Sequence, residues 1–341
     1  MKVLGFVSIL SLLVACQNVT STDVNAQSAK DSTADSILQS SPPPVIVALD
    51  TALYQQKLLE LVHQIPTERW PVQTELPNPG ALLPFNRIVA FYGNLYSKGM
   101  GILGALPPDQ MLTELQKEVH KWAEADTLTP VIPALHYIAV TAQASPGAGR
   151  KYRLRMPSTQ IDKILEMAKK IDAIVFLDIQ VGHSTLQEEI PQLEKYLRMP
   201  DVHLGIDPEF SMKNGKVPSS SIGTFDATDI NYAAEYLSQL VSEYHLPPKI
   251  LIIHRFTKGM LTNYKNIKPL PDVQIVMDMD GFGFPAKKIS TYNLCIEKEP
   301  VQFTGFKIFY ENDTEDKKWP EVMKPSDILS LCPAPVYIQY Q

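Results

Sequence analysis

Glycine and cysteine are both scarce in this chain, with 16 glycines and three cysteines in 341 residues. Three cysteines cannot build a dense disulfide framework. No lysine- or arginine-rich run appears and the net charge is -6, which argues against nucleic acid as a partner. There is no His-x-His pair, no helical His-Glu-x-x-His and no glycine-rich phosphate loop after the first strand candidate. The one long apolar run, Val3 to Val14, is too short to span a bilayer as a helix. What the chain does have is proline, 28 residues, in a composition that is 45% hydrophobic and 20% charged. That is a folded chain with rigid loops, not a disordered one.

Met1 and Lys2 precede the apolar run, which ends in Leu13-Val14-Ala15-Cys16. This resembles the bacterial lipobox, so residues 1–15 are expected to be a signal peptide and Cys16 the lipidated first residue of the mature chain. Its removal takes away Lys2 and no acid, leaving the chain more negative. Gln17 after the cysteine, by resemblance to Gram-negative sorting, implies the outer membrane. Residues 16–45 are rich in Ser, Thr, Asp and Gln and end in Pro42-Pro43-Pro44. They read as a flexible tether holding a single domain, 46–341, off the membrane.

From residue 87 the sequence alternates short apolar runs with amphipathic stretches. Eight strands are expected: Arg87–Tyr92, Pro130–His136, Ala173–Asp178, Val202–Asp207, Lys249–His254, Val273–Asp278, Gly305–Tyr310 and Ala334–Ile338. Helices are expected near 108–124, 158–171, 185–198, 228–244, 258–266, 286–297 and 325–331. Runs such as Ile250-Leu251-Ile252-Ile253 are apolar on both faces, as strands covered by crossover helices are. Eight such units predict an α/β fold, a (β/α)8 TIM barrel. No helix follows the last strand, so a helix over 50–64 is expected to fill the eighth helix position. An open doubly wound sheet is the alternative.

Active groups in such barrels sit at the C-terminal ends of strands. There this sequence carries Tyr92 and Asn94, His136, Asp178 with Gln180 and His183, Asp207 with Glu209, His254 with Arg255, Asp278 with Asp280, and Tyr310. In Asp207-Pro208-Glu209 the two acids, two residues apart, can face one side of an extended strand. A neighbouring acid then helps keep Glu209 protonated.

That triplet resembles the Asp-x-Glu ending the fourth strand of chitinase-like and some lysozyme-like glycoside hydrolases. The further upstream acids of the chitinase pattern are replaced here by Val202-His203-Leu204-Gly205-Ile206. More widely, Phe91 to Asn94, Phe176 to Ser184, Gly205 to Phe210, Ile253 to Phe256 and Met277 to Gly283 are similar to a family of secreted bacterial TIM-barrel lipoproteins, a resemblance that implies the fold and no particular chemistry.

Three functions are consistent with these residues. In the first, an envelope enzyme hydrolyses a glycan: Glu209 is the general acid, Asp207 tunes it, Asp278 or Asp280 is base or nucleophile, and Tyr92, Tyr137, Phe210, Phe282 and Tyr310 stack on sugar faces. Asn94, His136, Asp178, Gln180, His183, His254, Arg255 and Tyr310 would then bind substrate. In the second, a metal-dependent hydrolase of phosphoesters or amides uses Asp178, His183, Asp207, Glu209, His254 and Asp278 as ligands. No motif demands a cofactor, and a divalent metal is the one these residues could hold. In the third, the barrel binds a glycan or envelope partner without catalysis. In every case the expected partners are a carbohydrate or other envelope ligand and, through the lipid, a membrane.

The basic cluster from Arg150 to Arg155 reads as a solvated loop. Loops Ala144–Ala148 and Ser211–Ser221 are candidate lids. Arg255 is as well suited to pairing with Asp207 or Asp278 as to clamping an anion. Sequence leaves open a bridge between Cys295 and Cys332.

Overall fold

The computed structural model describes residues 48–341. The expected signal peptide, lipidated Cys16 and tether lie outside the described residues. Among the described residues no helix is long and apolar enough to cross a membrane.

Eight parallel strands close into a barrel: β1 (Arg87–Gly93), β2 (Val131–Ala142), β3 (Ile174–Ile179), β4 (Val202–Ile206), β5 (Lys249–Arg255), β6 (Val273–Met279), β7 (Phe303–Ile308) and β8 (Tyr337–Tyr340). Each pairs with the next in chain order, and β8 pairs with β1 to close the ring. The fold is therefore the expected TIM barrel, not an open sheet.

Alternation along each strand divides the side chains between two cores. On β1, Val89 and Phe91 join the outer core under the helices, while Ile88 and Ala90 join the barrel interior. The interior is apolar only in its lower half, where Ala134, Ile174, Phe176, Ile250, Ile252, Val276 and Phe303 meet. Above them the inward positions turn polar.

The helices form where the apolar stripe and the start signals agree. α2 (Pro108–Ala125) begins on proline, has Asp109 in its first turn and buries Met111, Leu112, Leu115 and Trp122. α3 (Ser158–Lys169) buries Ile161, Ile164, Leu165 and Ala168. α4 (Ala227–Tyr244) starts in a capping box between Asp226 and Asp229 and ends at His245 in the left-handed region, φ 52°. α5 (Pro285–Tyr292) and α6 (Pro325–Leu329) precede β7 and β8. Two expected helices differ. The 185–198 stretch breaks into three single turns around Pro191, which has no N–H to continue a helix. The 258–266 stretch is two 3-10 turns, separated at Asn263 with φ 55°.

The N-terminal helix α1 (Thr51–Leu61) takes a different place from the one expected. Its buried residues, Tyr54 and Leu58, belong to the interior core with Ile88, Ile174 and Val276. Leu61 carbonyl accepts the Ala334 amide just before β8, and Lys57 Nζ donates to Leu128 carbonyl just before β2. The helix thus closes the barrel at the N-terminal end of its strands, and α6 packs directly on α2 in the outer ring.

β2 runs beyond its expected end and pairs antiparallel with Arg153–Arg155, so Ala144–Ala148 lies in the connection of a hairpin. The basic cluster is tied down: Arg153 and Arg155 both pair with buried Glu189, at 2.8 and 2.6 Å, and Lys151 pairs with Glu188. Cys295 and Cys332 are both free thiols.

Candidate functional site

Inward positions near the C-terminal ends of the strands carry Tyr92, His136, Asp178, Gln180, Asp207, His254, Asp278, Asp280 and Lys307. The register makes the layer possible. Asp178 pairs with Gly205 of β4, and Asp278 pairs with Gly305 of β7. A methyl group on Gly205 would come 2.5 Å from Asp178 Oδ1, and one on Gly305 would come 2.6 Å from Asp278 Oδ1. Each acid occupies the volume its neighbour's missing side chain leaves.

The lower polar layer is sealed. His136, Asp178, His254 and Asp278 have no solvent exposure. His136 Nε2 and His254 Nε2 lie 3.3 and 3.4 Å from Asp178 Oδ1. On its other side, His254 Nδ1 lies 3.4 Å from Asp278 Oδ2 and 3.3 Å from Asp280 Oδ2. These are ion-pair separations without hydrogen-bond angles: His136 Nε2, Asp178 Oδ1, both His254 nitrogens and both Asp278 oxygens have no hydrogen-bond partner. Asp178 Oδ2 accepts from Tyr92 at 3.2 Å, and His136 Nδ1 contacts Tyr337 Oη at 2.6 Å.

Above this layer a cavity of about 390 Å³ opens to solvent. Asp207, Glu209 and Asp280 line it with Lys307, Tyr92 and Gln180, and Phe210, Phe256, Phe282 and Phe309 form its apolar walls. Lys307 Nζ sits 3.0 Å from Asp280 Oδ1 and 3.9 Å from the centre of the Tyr92 ring. Asp207 Oδ1 accepts the Glu209 backbone amide at 2.9 Å, which starts a short 3-10 turn and carries Glu209 into the cavity.

Burial separates the charge states of these acids. Burial, with Asp280 nearby, pushes the Glu209 carboxyl up to about 7. Burial, with Glu209 and Asp178 nearby, raises Asp207 well above the carboxylate range. Asp280 is held below its ordinary value against the cost of burial, by the Lys307 ammonium and the His254 ring. Against the same cost, the two imidazoles hold Asp178 down. Burial lowers His136 to about 4 and raises Asp278. His254 is raised despite burial, because Asp178, Asp278 and Asp280 surround it.

Of the expected residues, Tyr92, Gln180, Asp207, Glu209, Asp280, Phe210 and Phe282 line the cavity. His136, Asp178, His254 and Asp278 gather beneath it, so Asp278 is out of reach as base or nucleophile. Five others lie elsewhere. Asn94 is buried in loop structure, donating to Ile138 carbonyl and accepting from Tyr96 N–H. His183 is bound to Lys216 carbonyl and packs on Tyr152. Arg255 points outward, pairing with Glu299 and donating to the Cys295 and Lys258 carbonyls. Tyr310 stacks on Tyr340 with the outer core, and Tyr137 is buried in that core.

Lys307 is the residue the sequence reading missed. Its signal was alternation: Gly305, Lys307 and Phe309 share one face of β7 and its extension, whereas Tyr310 has the outward parity of Phe306 and Ile308.

Among the described residues, the group whose donor atoms could hold a metal ion is His136, Asp178 and His254, with one ligand atom from each lying within 4.8 Å of the others. This differs from the expected ligand set, which included His183 and the cavity acids and omitted His136.

No protein-family model matches the chain, and no curated protein matches it. Among solved structures, Plasmodium falciparum HPPK-DHPS crystallised with pteroate is similar at a TM-score of 0.30 and 9% identity. The match covers 85% of this chain and 51% of that one, so the chain spans about half the length of that protein.

Proposed function

We propose that this chain is a glycan hydrolase working by carboxylate acid/base chemistry at the C-terminal mouth of its barrel. The observation that carries the reading is the presence of Glu209, with its carboxyl raised to about 7, in the same aromatic-walled cavity as the Lys307-paired Asp280. A protonated carboxyl at neutral pH can donate to the oxygen of a leaving sugar. An ion-paired carboxylate beside it can take the complementary role, as base or nucleophile. Asp207 shapes the turn that delivers Glu209 and keeps a second acid beside it.

The cavity is of the size small-ligand sites have. Its phenylalanines offer flat apolar faces of the kind sugars stack on, and Asn312 offers a polar contact to hydroxyls. The metal-dependent alternative has less support as a mechanism, because His136, Asp178 and His254 do not line the cavity. With a lipid on Cys16, the enzyme would work in the cell envelope, at the outer membrane, on an envelope or captured glycan.

The test is Glu209→Gln against a panel of envelope polysaccharides, reading reducing ends released and, by calorimetry, binding. Wild type is expected to release reducing ends. The variant is expected to lose about 100-fold or more in turnover, with binding retained. Equal binding by both proteins with no turnover by either would overturn the reading and favour a glycan-binding protein.

A further inference from the structure

We infer that His136 Nε2, Asp178 Oδ1 and His254 Nε2 hold a divalent metal ion of the zinc class, seated in the barrel beneath the cavity. The inference is independent of the hydrolase reading, since none of the three residues lines the cavity. It rests first on what these atoms lack. All three side chains are fully buried, and each of the three atoms is without a hydrogen-bond partner although it faces the others. Buried polar atoms are nearly always hydrogen-bonded, and these three converge at ion-pair distance without hydrogen-bond angles, an arrangement that a shared cation would complete.

Both imidazole–carboxylate separations match those of a coordination sphere, and one donor atom from each of the three residues lies within 4.8 Å of the others. The two imidazole nitrogens lie 3.3 and 3.4 Å from the carboxylate oxygen. Tetrahedral zinc with bonds of about 2.0–2.1 Å places neighbouring ligands about 3.3–3.4 Å apart. Two imidazoles and one carboxylate form a donor set zinc accepts. The missing side chain of Gly205 is what lets His136 Nε2 and Asp178 Oδ1 converge, since a Cβ there would fall within 2.5 Å of both.

The surroundings orient the ligands as metal sites require. His254 presents its other nitrogen, Nδ1, to the carboxylates of Asp278 and Asp280. Asp178 spends Oδ2 on the Tyr92 hydroxyl, leaving Oδ1 for the ion. His136 Nδ1 lies 2.6 Å from Tyr337 Oη and 3.1 Å from the Gln339 amide nitrogen, which also donates to Tyr337 Oη at 2.8 Å. These contacts fix the ring with Nε2 turned toward Asp178, and a metal ion there would take the place of the Nε2 proton. The ion would brace Asp178 and, through it, Tyr92, a positioning role with no substrate contact.

The full chain would be stripped with a chelator, then reloaded with zinc chloride or cobalt chloride. Elemental analysis is expected to find one equivalent of zinc per chain, reloading to raise the melting temperature, and cobalt to give the visible bands of a tetrahedral centre. His254→Gln and Asp178→Asn, with their folding checked by circular dichroism, are expected to bind zinc at least tenfold more weakly. Glu209→Gln should keep its zinc even as it loses turnover, which separates this inference from the hydrolase reading. A wild-type chain of native circular dichroism that takes up less than a tenth of an equivalent would overturn the inference. So would zinc held as tightly by folded His254→Gln and Asp178→Asn as by wild type.

Discussion

Gly205 stands in register beside Asp178, and the space where its side chain would be is filled by the Asp178 carboxylate and the His136 ring. The buried charges of the barrel therefore depend on a residue that has no side chain. Gly205→Ala would force a methyl group to within 2.5 Å of Asp178 Oδ1. The strand is flanked on both sides by paired neighbours and cannot yield. A loss of about 1–3 kcal/mol is expected, as for other overpacked cores, measured by urea unfolding. A variant as stable as wild type would show that the layer is looser than its register implies.

Glu209 gives the site a pH dependence of definite sign. Its carboxyl rises from an ordinary 4.5 to about 7 through burial, with Asp280 nearby, while Lys307 and His254 oppose the shift. Turnover that needs the protonated acid should fall as pH rises through about 7. The same shift links to folding. Between about 4.5 and 7 the native state holds a proton the unfolded chain has released. The stabilisation is complete below the unfolded value and is lost as pH rises through the folded one. Urea unfolding of wild type and Glu209→Gln from pH 4 to 8 checks this, because the variant lacks that component of the slope.

The barrel was legible because its strands are apolar on both faces and its helices carry start signals, as Pro108 and Asp226 do. The Asp-x-Glu pair was legible as a motif, but strand parity is not what joins the two acids: β4 ends at Ile206, and Glu209 reaches the cavity through a 3-10 turn capped by Asp207. Reading by position alone misled at Arg255 and Tyr310. Each is next to an inward residue and so has the opposite parity, which alternation from Ile250 and from Gly305 would have shown. The same count would have found Lys307. Asn94 follows Gly93, whose φ of 152° ends the strand's regular alternation, so parity could not place it. The place of α1 was beyond sequence reading, since an apolar stripe shows that a helix packs but not against which end of a barrel.

That helix yields a prediction that separates its two places. Leu58 is 6% exposed and packs in the interior core. Leu58→Ala should cost about 2–5 kcal/mol, as for a core leucine. It should also expose the lower barrel, so hydrogen exchange should quicken at Ile88 and Ile174. A helix in the outer ring would instead quicken exchange at Val89 and Ile338, whose side chains face outward.

Arg255 is the sharpest test of how parity divides structure from chemistry here. It follows His254, yet its guanidinium faces away from the cavity, is fully buried and pairs with Glu299, with further bonds to three backbone carbonyls. Those carbonyls belong to Thr257, Lys258 and Cys295, so the arginine fastens the segment after β5 to the turn after α5. Arg255→Met would leave the three carbonyls without their donor and Glu299 with only the exposed Lys258 ammonium, 3.4 Å away. Removing one partner of a buried pair costs about 3–5 kcal/mol, and unfolding should show a loss of that order. Glycan affinity should stay within about twofold, because no atom of Arg255 reaches the cavity. Converting Glu299 to methionine as well removes the stranded charge, so the double variant should recover part of the loss. Weakened glycan binding by a fully folded Arg255→Met protein would place the guanidinium in the site after all.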